Sequence, residues 1–244
     1  MTKTCEMDPD DRKRLRGVLL YLCGICIACI LTGLNRKCAP GFLKVPLFDV
    51  MQITDTLFML VFTPVSLIFA WFIFQLYEGA RNKFNTILFI MGVYFLGIGF
   101  GMHDPFNALH MYKSREIPPD ILRSVVYFDD MLGHDLFFIG FMLTTLSVAG
   151  AEAARPYRSS LPWKILIFPV LMGITAGIVV WRNMVNENTS GDIAVLLATT
   201  FAAAILHAVF KAGSIRRLPA LLVLYIAYGG GSLATILHWA FRRF

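Results

Sequence analysis

Long apolar runs separated by short polar breaks occupy almost the whole chain. They cover approximately residues 17–34, 53–77, 84–103, 130–150, 162–181, 191–210 and 218–240. A helix needs roughly 20 residues to cross a hydrocarbon layer, and most of these runs have that length. Barrel strands would alternate in polarity over short segments, and these runs do not. Lipid offers backbone groups no water to bond, so the runs predict helices. The expected fold is all-α, a polytopic integral membrane protein with a bundle of about seven transmembrane helices. Residues 1–16 read as a polar cytoplasmic N-terminal segment. Residues 17–244 read as a single transmembrane helical domain, with a long loop at 104–129.

Composition supports this class. Of 244 residues, 57% are hydrophobic and 16% charged, and the mean hydropathy is +0.65. A soluble domain of this size does not carry so much apolar surface. The net charge of +6 is therefore no sign of nucleic-acid binding. In a membrane protein Lys and Arg concentrate in cytoplasmic loops. With the N-terminus inside, 13 of the 22 Lys and Arg fall on the cytoplasmic side and 9 on the other, which favours a cytoplasmic N-terminus. The first run lacks a small-x-small site at its end and reads as a span rather than a cleavable signal.

Small residues predict close helix contacts. These are Gly92, Gly97, Gly99 and Gly101 in the third run, Gly173 and Gly177 in the fifth, and Gly229, Gly230 and Gly231 in the seventh, where the triple glycine also suggests a local unwinding. Cys23, Cys26 and Cys29 follow at spacing three in the first run and read as small packing residues. Cys5 and Cys38 fall on opposite sides and do not pair. Asn188-Thr189-Ser190 fits a glycosylation acceptor.

The candidate chemistry lies at the ends of the runs. His103, Asp104 and His110 follow the third run, Asp129, Asp130, His134 and Asp135 open the fourth, and His238 closes the seventh. The alternating course of seven spans brings these ends to one membrane face, together with Asp49, Asp55 and Asp192. The convergence holds whichever way the bundle is inserted. With the N-terminus inside, the face is extracytoplasmic. His207 falls at the opposite end and reads as structural. Imidazoles and carboxylates at the edge of a hydrocarbon core are costly unless paired, hydrated or bound to metal. Asp130 and His134, four residues apart, share a helical face. Proline disfavours helix at Asp104, so the third helix either ends at His103 or continues and aligns His103, Asn107 and His110. Pro119 is suited to the first turn of a helix that would run on through Asp130 and His134.

Such a donor set suits zinc, copper or iron. His103, His134, His238 and Asp130 are the expected metal ligands, with Asp130 alternatively the general base. His110 is a further ligand or a proton shuttle. Asp104, Asp129 or Asp135 would accept from the far nitrogen of a ligating ring, and Phe106, Tyr127, Phe128, Phe137 and Phe138 would wall the site. Zinc would make this a hydrolase; iron or copper would make it an oxidoreductase. The site opens at the hydrocarbon boundary, so the expected substrate is a lipid or another apolar molecule. The competing expectation is a non-enzymatic membrane subunit or transporter that uses the cluster for protons or metal ions, in association with other membrane subunits.

Seven spans with histidines and aspartates resemble, in architecture, the alkaline ceramidase and adiponectin-receptor class of membrane zinc hydrolases. That class places a His-x3-His pair in its last span. The last span here holds His238 alone, so no site residue is carried over.

Overall fold

A computed structural model describes residues 7–38, 46–47, 51–187 and 190–242. The described chain is all-α apart from a two-stranded antiparallel ribbon, β1 (Pro46–Leu47) with β2 (Met51–Gln52). Helix α1 spans Pro9–Cys38. Helix α2 (Ile53–Leu57) runs through a π-helical turn, Phe58–Phe62, into α3 (Thr63–Leu76). Helix α4 covers Lys83–Lys113. Helix α5 (Pro119–Val126) passes through a second π turn, Tyr127–Gly133, into α6 (His134–Ala154). Helices α7 (Trp163–Glu187) and α8 (Ser190–Val209) follow. Helix α9 (Pro219–Leu224) then leads through a third π turn, Tyr225–Gly230, into α10 (Gly231–Arg242).

Five helical segments among the described residues are long and apolar enough to cross a membrane: Ile53–Leu76, Lys83–Met111, Pro119–Ala154, Trp163–Arg182 and Pro219–Phe241. The expected count of seven is therefore met for five. Helix α8 presents a shorter apolar stretch, Ile193–Val209. Helix α1 opens with Asp10, Asp11, Arg12, Lys13 and Arg14, which charge its first turns. Its helix is continuous from Pro9, so residues 9–16 form its first two turns. Large apolar side chains such as Ile68, Ile87, Ile90, Leu171, Ile178 and Leu233 stay exposed around these helices. Contiguous apolar exposure of this kind suits contact with lipid.

The expected loop at 104–129 is not a loop. Helix α4 continues through Pro105 to Lys113, and Pro119 opens α5, so only 114–118 turns the chain. Pro105 has no N–H to give the carbonyl one turn back, but its fixed φ is compatible with helix, and the helix persists. Proline at the first position of α5 loses nothing, because that N–H has no intrahelical acceptor.

Glycines set the α4–α6 contact. A Cβ on Gly92 would lie 2.6 Å from the Thr144 nitrogen, on Gly99 2.4 Å from the Phe137 nitrogen, and on Gly140 2.4 Å from the Leu96 nitrogen. Backbone therefore meets backbone, as small residues permit in lipid. The sequence pattern places Gly97 and Gly101 in the same contact, but each faces open space. Gly231 packs against the Gly177 carbonyl of α7, and the triple glycine straddles the third π turn.

The end of the bundle remote from the histidine cluster is held by Glu152, which is fully buried near the end of α6. Its Oε1 accepts from the Tyr77 hydroxyl and from the Ala220 N–H at 3.0 Å, and its Oε2 accepts from the Leu221 N–H at 2.6 Å. The carboxylate thus caps the first turn of α9, whose N–H groups have no intrahelical acceptor. The Arg14 guanidinium lies over the rings of Tyr157 (4.4 Å) and Tyr77 (5.3 Å) and pairs with Asp11 at 2.8 Å. Asp11 also accepts from the Arg158 N–H at 2.9 Å. Burial pushes the Tyr157 phenol above its ordinary range, and the Glu152 carboxylate adds to this.

Candidate functional site

Two segments build the site. The first is the C-terminal part of α4, which carries His103, Asp104, Asn107 and His110. Residues 103 and 110 are two turns apart and lie on one face of a continuous helix. The second is the π turn Tyr127–Gly133, which carries Asp129 and Asp130 and leads directly to His134. The turn 114–118 folds the second segment back on the first.

Asp129 is the centre of the arrangement, with only 1% of its surface exposed. Its Oδ1 lies 2.8 Å from Nδ1 of His103, and its Oδ2 lies 3.3 Å from Nδ1 of His110. The His103 Nδ1 also faces the Asp129 backbone carbonyl at 3.4 Å. Oδ1 is buried and lies off the N–H direction, so the carbonyl is the aligned acceptor. The His134 ring stands edge-on to that of His103, with centroids 4.4 Å apart. Gly133 permits the approach, because a Cβ there would lie 3.0 Å from the His103 nitrogen. His110, Asp129 and Asp130 also present ligand atoms that lie within 4.8 Å of one another. Asp129 is buried, Asp130 is exposed and His110 lies between them, so the group runs from the interior to the surface.

Of the aromatic residues expected to wall the site, Phe138 stands against a cluster ring. Phe106 packs on Phe128 at 5.0 Å, Phe138 lies 6.2 Å from the His134 ring, and Phe137 contacts both Phe138 and Phe100. Tyr127, Met131 and Met111, next in sequence to cluster residues, are exposed apolar side chains.

The structure thus brings together His103, His110, His134, Asp129 and Asp130. It does not show His238 joining them. That ring faces Trp181 of α7 at 5.9 Å, and its Nε2 is buried with no hydrogen-bond partner among the described residues. Asp104 is buried beside the cluster and Asp135 is exposed. Asp55 accepts from the Gln52 N–H at 3.2 Å and serves the start of α2. Asp49, the Asp192 side chain and the 188–189 part of the glycosylation pattern lie outside the described residues. His207 bonds through Nε2 to the Gly213 carbonyl at 2.8 Å, in keeping with a structural role.

The i,i+4 spacing of Asp130 and His134 points to Asp130 as the principal carboxylate, whereas Asp129 is the buried one, and no spacing in the chain points to Glu152. An ideal helix puts Asp130 and His134 on one face, but the π turn between them changes the register and turns Asp129 inward. The signal for Glu152 was a single acid within Gly150-Ala-Glu152-Ala-Ala154, a run otherwise suited to close packing. In comparisons with known proteins, no family model, curated protein or solved structure matches this chain.

Proposed function

We propose that this chain is a metal-dependent integral-membrane enzyme acting on a lipid or another apolar substrate at the His103/His110/His134 and Asp129/Asp130 cluster. The observation that carries the reading is the sharing of one buried carboxylate, Asp129, by two histidines, with a third imidazole 4.4 Å from the first. Burying such a carboxylate is expensive without compensating partners. Imidazole and carboxylate donors in this number suit zinc, iron or copper. In this reading His103, His110 and His134 supply ring nitrogens, and Asp130 is the fourth ligand or the base. His238 takes no part. A bound zinc would lower the pKa of its water to about 7 and support hydrolysis, whereas iron or copper would support oxidation. The exposed apolar side chains of Met111, Tyr127 and Met131 favour a substrate delivered from the hydrocarbon boundary.

The test is metal content by mass spectrometry on full-length protein purified in mild detergent without chelators. About one zinc, iron or copper per chain is expected, lost in His103→Ala and His134→Ala while circular dichroism stays helical. The metal found then selects a hydrolytic or an oxidative screen of lipid substrates. A folded, monodisperse parent without metal would overturn the reading and favour a subunit or transporter that handles protons at the same residues.

A further inference from the structure

We infer that Asp129 is a positioning residue that holds His103 and His110 in the tautomer with the proton on Nδ1, so that both Nε2 lone pairs are the ones offered to a metal. The metal in this statement rests on the function proposed above; the tautomers rest on the contacts alone.

Every acceptor that Asp129 presents to these rings meets a δ nitrogen. The His103 Nδ1 faces a backbone carbonyl at 3.4 Å and a carboxylate oxygen at 2.8 Å. The His110 Nδ1 faces the other carboxylate oxygen at 3.3 Å. A backbone carbonyl can only accept, and so can an ionised carboxylate. Each Nδ1 must therefore carry the hydrogen. A neutral imidazole has one N–H, which leaves a lone pair on Nε2. That is the ligating form, and a carboxylate on the far N–H both orients the ring and raises its basicity.

The same geometry divides the work of two adjacent acids. Asp129 is almost fully buried; its Oδ2 and its backbone carbonyl meet the two δ nitrogens, and its Oδ1 lies 2.8 Å from that of His103. Asp130, the next residue, is exposed, and its ligand atom lies within 4.8 Å of those of both His110 and Asp129. Asp130 is thus the carboxylate available to bind metal directly, and Asp129 is the one that aims the rings. Consecutive residues on a helical turn point about 90–100° apart, so the two neighbours face different sides of the segment.

Two measurements test this. The first reads ring nitrogen shifts by NMR in full-length, metal-free protein labelled with nitrogen-15 histidine, assigned by the signals lost in His103→Gln and His110→Gln. Both rings are expected to carry the proton on Nδ1, and a proton on Nε2 of either would overturn the inference. No change at Asp129 is needed, so a variant that fails to fold cannot obscure the answer. The second is a cobalt(II) titration of the parent, Asp129→Asn and Asp130→Asn. Asp129→Asn is expected to bind about 10–100-fold more weakly, with an unchanged visible spectrum at saturation because the ligands are retained. Asp130→Asn is expected to change the spectrum. A changed cobalt spectrum in Asp129→Asn would make Asp129 a ligand and overturn the assignment. Nδ1-protonated rings in a parent that takes up no cobalt would support the orienting contact while overturning the metal reading of the site.

Discussion

At the residue scale, two buried carboxylates serve opposite ends of the bundle by different means. Glu152 is satisfied by one hydroxyl and two backbone N–H groups, all from its own chain. Asp129 faces imidazoles instead, with Oδ2 on the His110 Nδ1 and Oδ1 close to the His103 Nδ1, and imidazoles also bind metals. The difference predicts different consequences of removing each one. Glu152→Ala leaves three buried donors without an acceptor, each costing about 1–3 kcal/mol. We expect a large fall in the thermal midpoint, measured by circular dichroism in detergent, with Glu152→Gln milder because one acceptor remains. An alanine variant as stable as the parent would show that the capping of α9 does not hold that end. Burial alone did not distinguish these two acids in the sequence. Glu152 sits among alanines and Asp129 beside another aspartate, and which neighbour points inward depends on helix register.

At the element scale, the α4–α6 pair carries the site. The donors of α4 reach those of the π turn and α6 only because the backbones of the two helices touch. The glycines offer an internal control. Gly140→Val should force the helices apart, since its Cβ would lie 2.4 Å from a backbone nitrogen, whereas Gly97→Ala has open space. We expect Gly140→Val to lower thermal stability and loosen the His103–His134 contact, and Gly97→Ala to leave both near parental levels. Equal effects of the two changes would contradict the packing described. The four glycines of the third run looked alike in sequence. Only the direction each one faces separates Gly92 and Gly99 from Gly97 and Gly101. Helical continuity through Pro105 was likewise undecided by local rules, because the proline penalty is small enough for packing on both sides to outweigh it.

At the scale of the whole molecule, the bundle has one end held by arginine, tyrosine and Glu152, and another carrying the histidine cluster. Helices of membrane-crossing length separate them. Single cysteines at Asp130 and at Arg158, placed in a background without other cysteines, should therefore react with a membrane-impermeant thiol reagent from opposite sides of sealed vesicles. Labelling of both from the same side would contradict a membrane-crossing bundle. The sequence by itself determined the class and the chemistry available. Runs of apolar residues can satisfy their backbones in lipid only as helices, and histidines and aspartates at the ends of those runs must find partners. It also located His103, His110, His134 and the Asp129–Asp130 pair as neighbours in prospect, since helix ends on one side of a bundle converge. Tertiary structure decided the rest. It carried α4 through Pro105, turned Asp129 rather than Asp130 inward, set His238 against Trp181, and tied α6 to α9 through Glu152. These choices depend on helix rotation and on the π turn, a register change with no plain residue signature, and rotation is set by contacts between segments far apart in the chain.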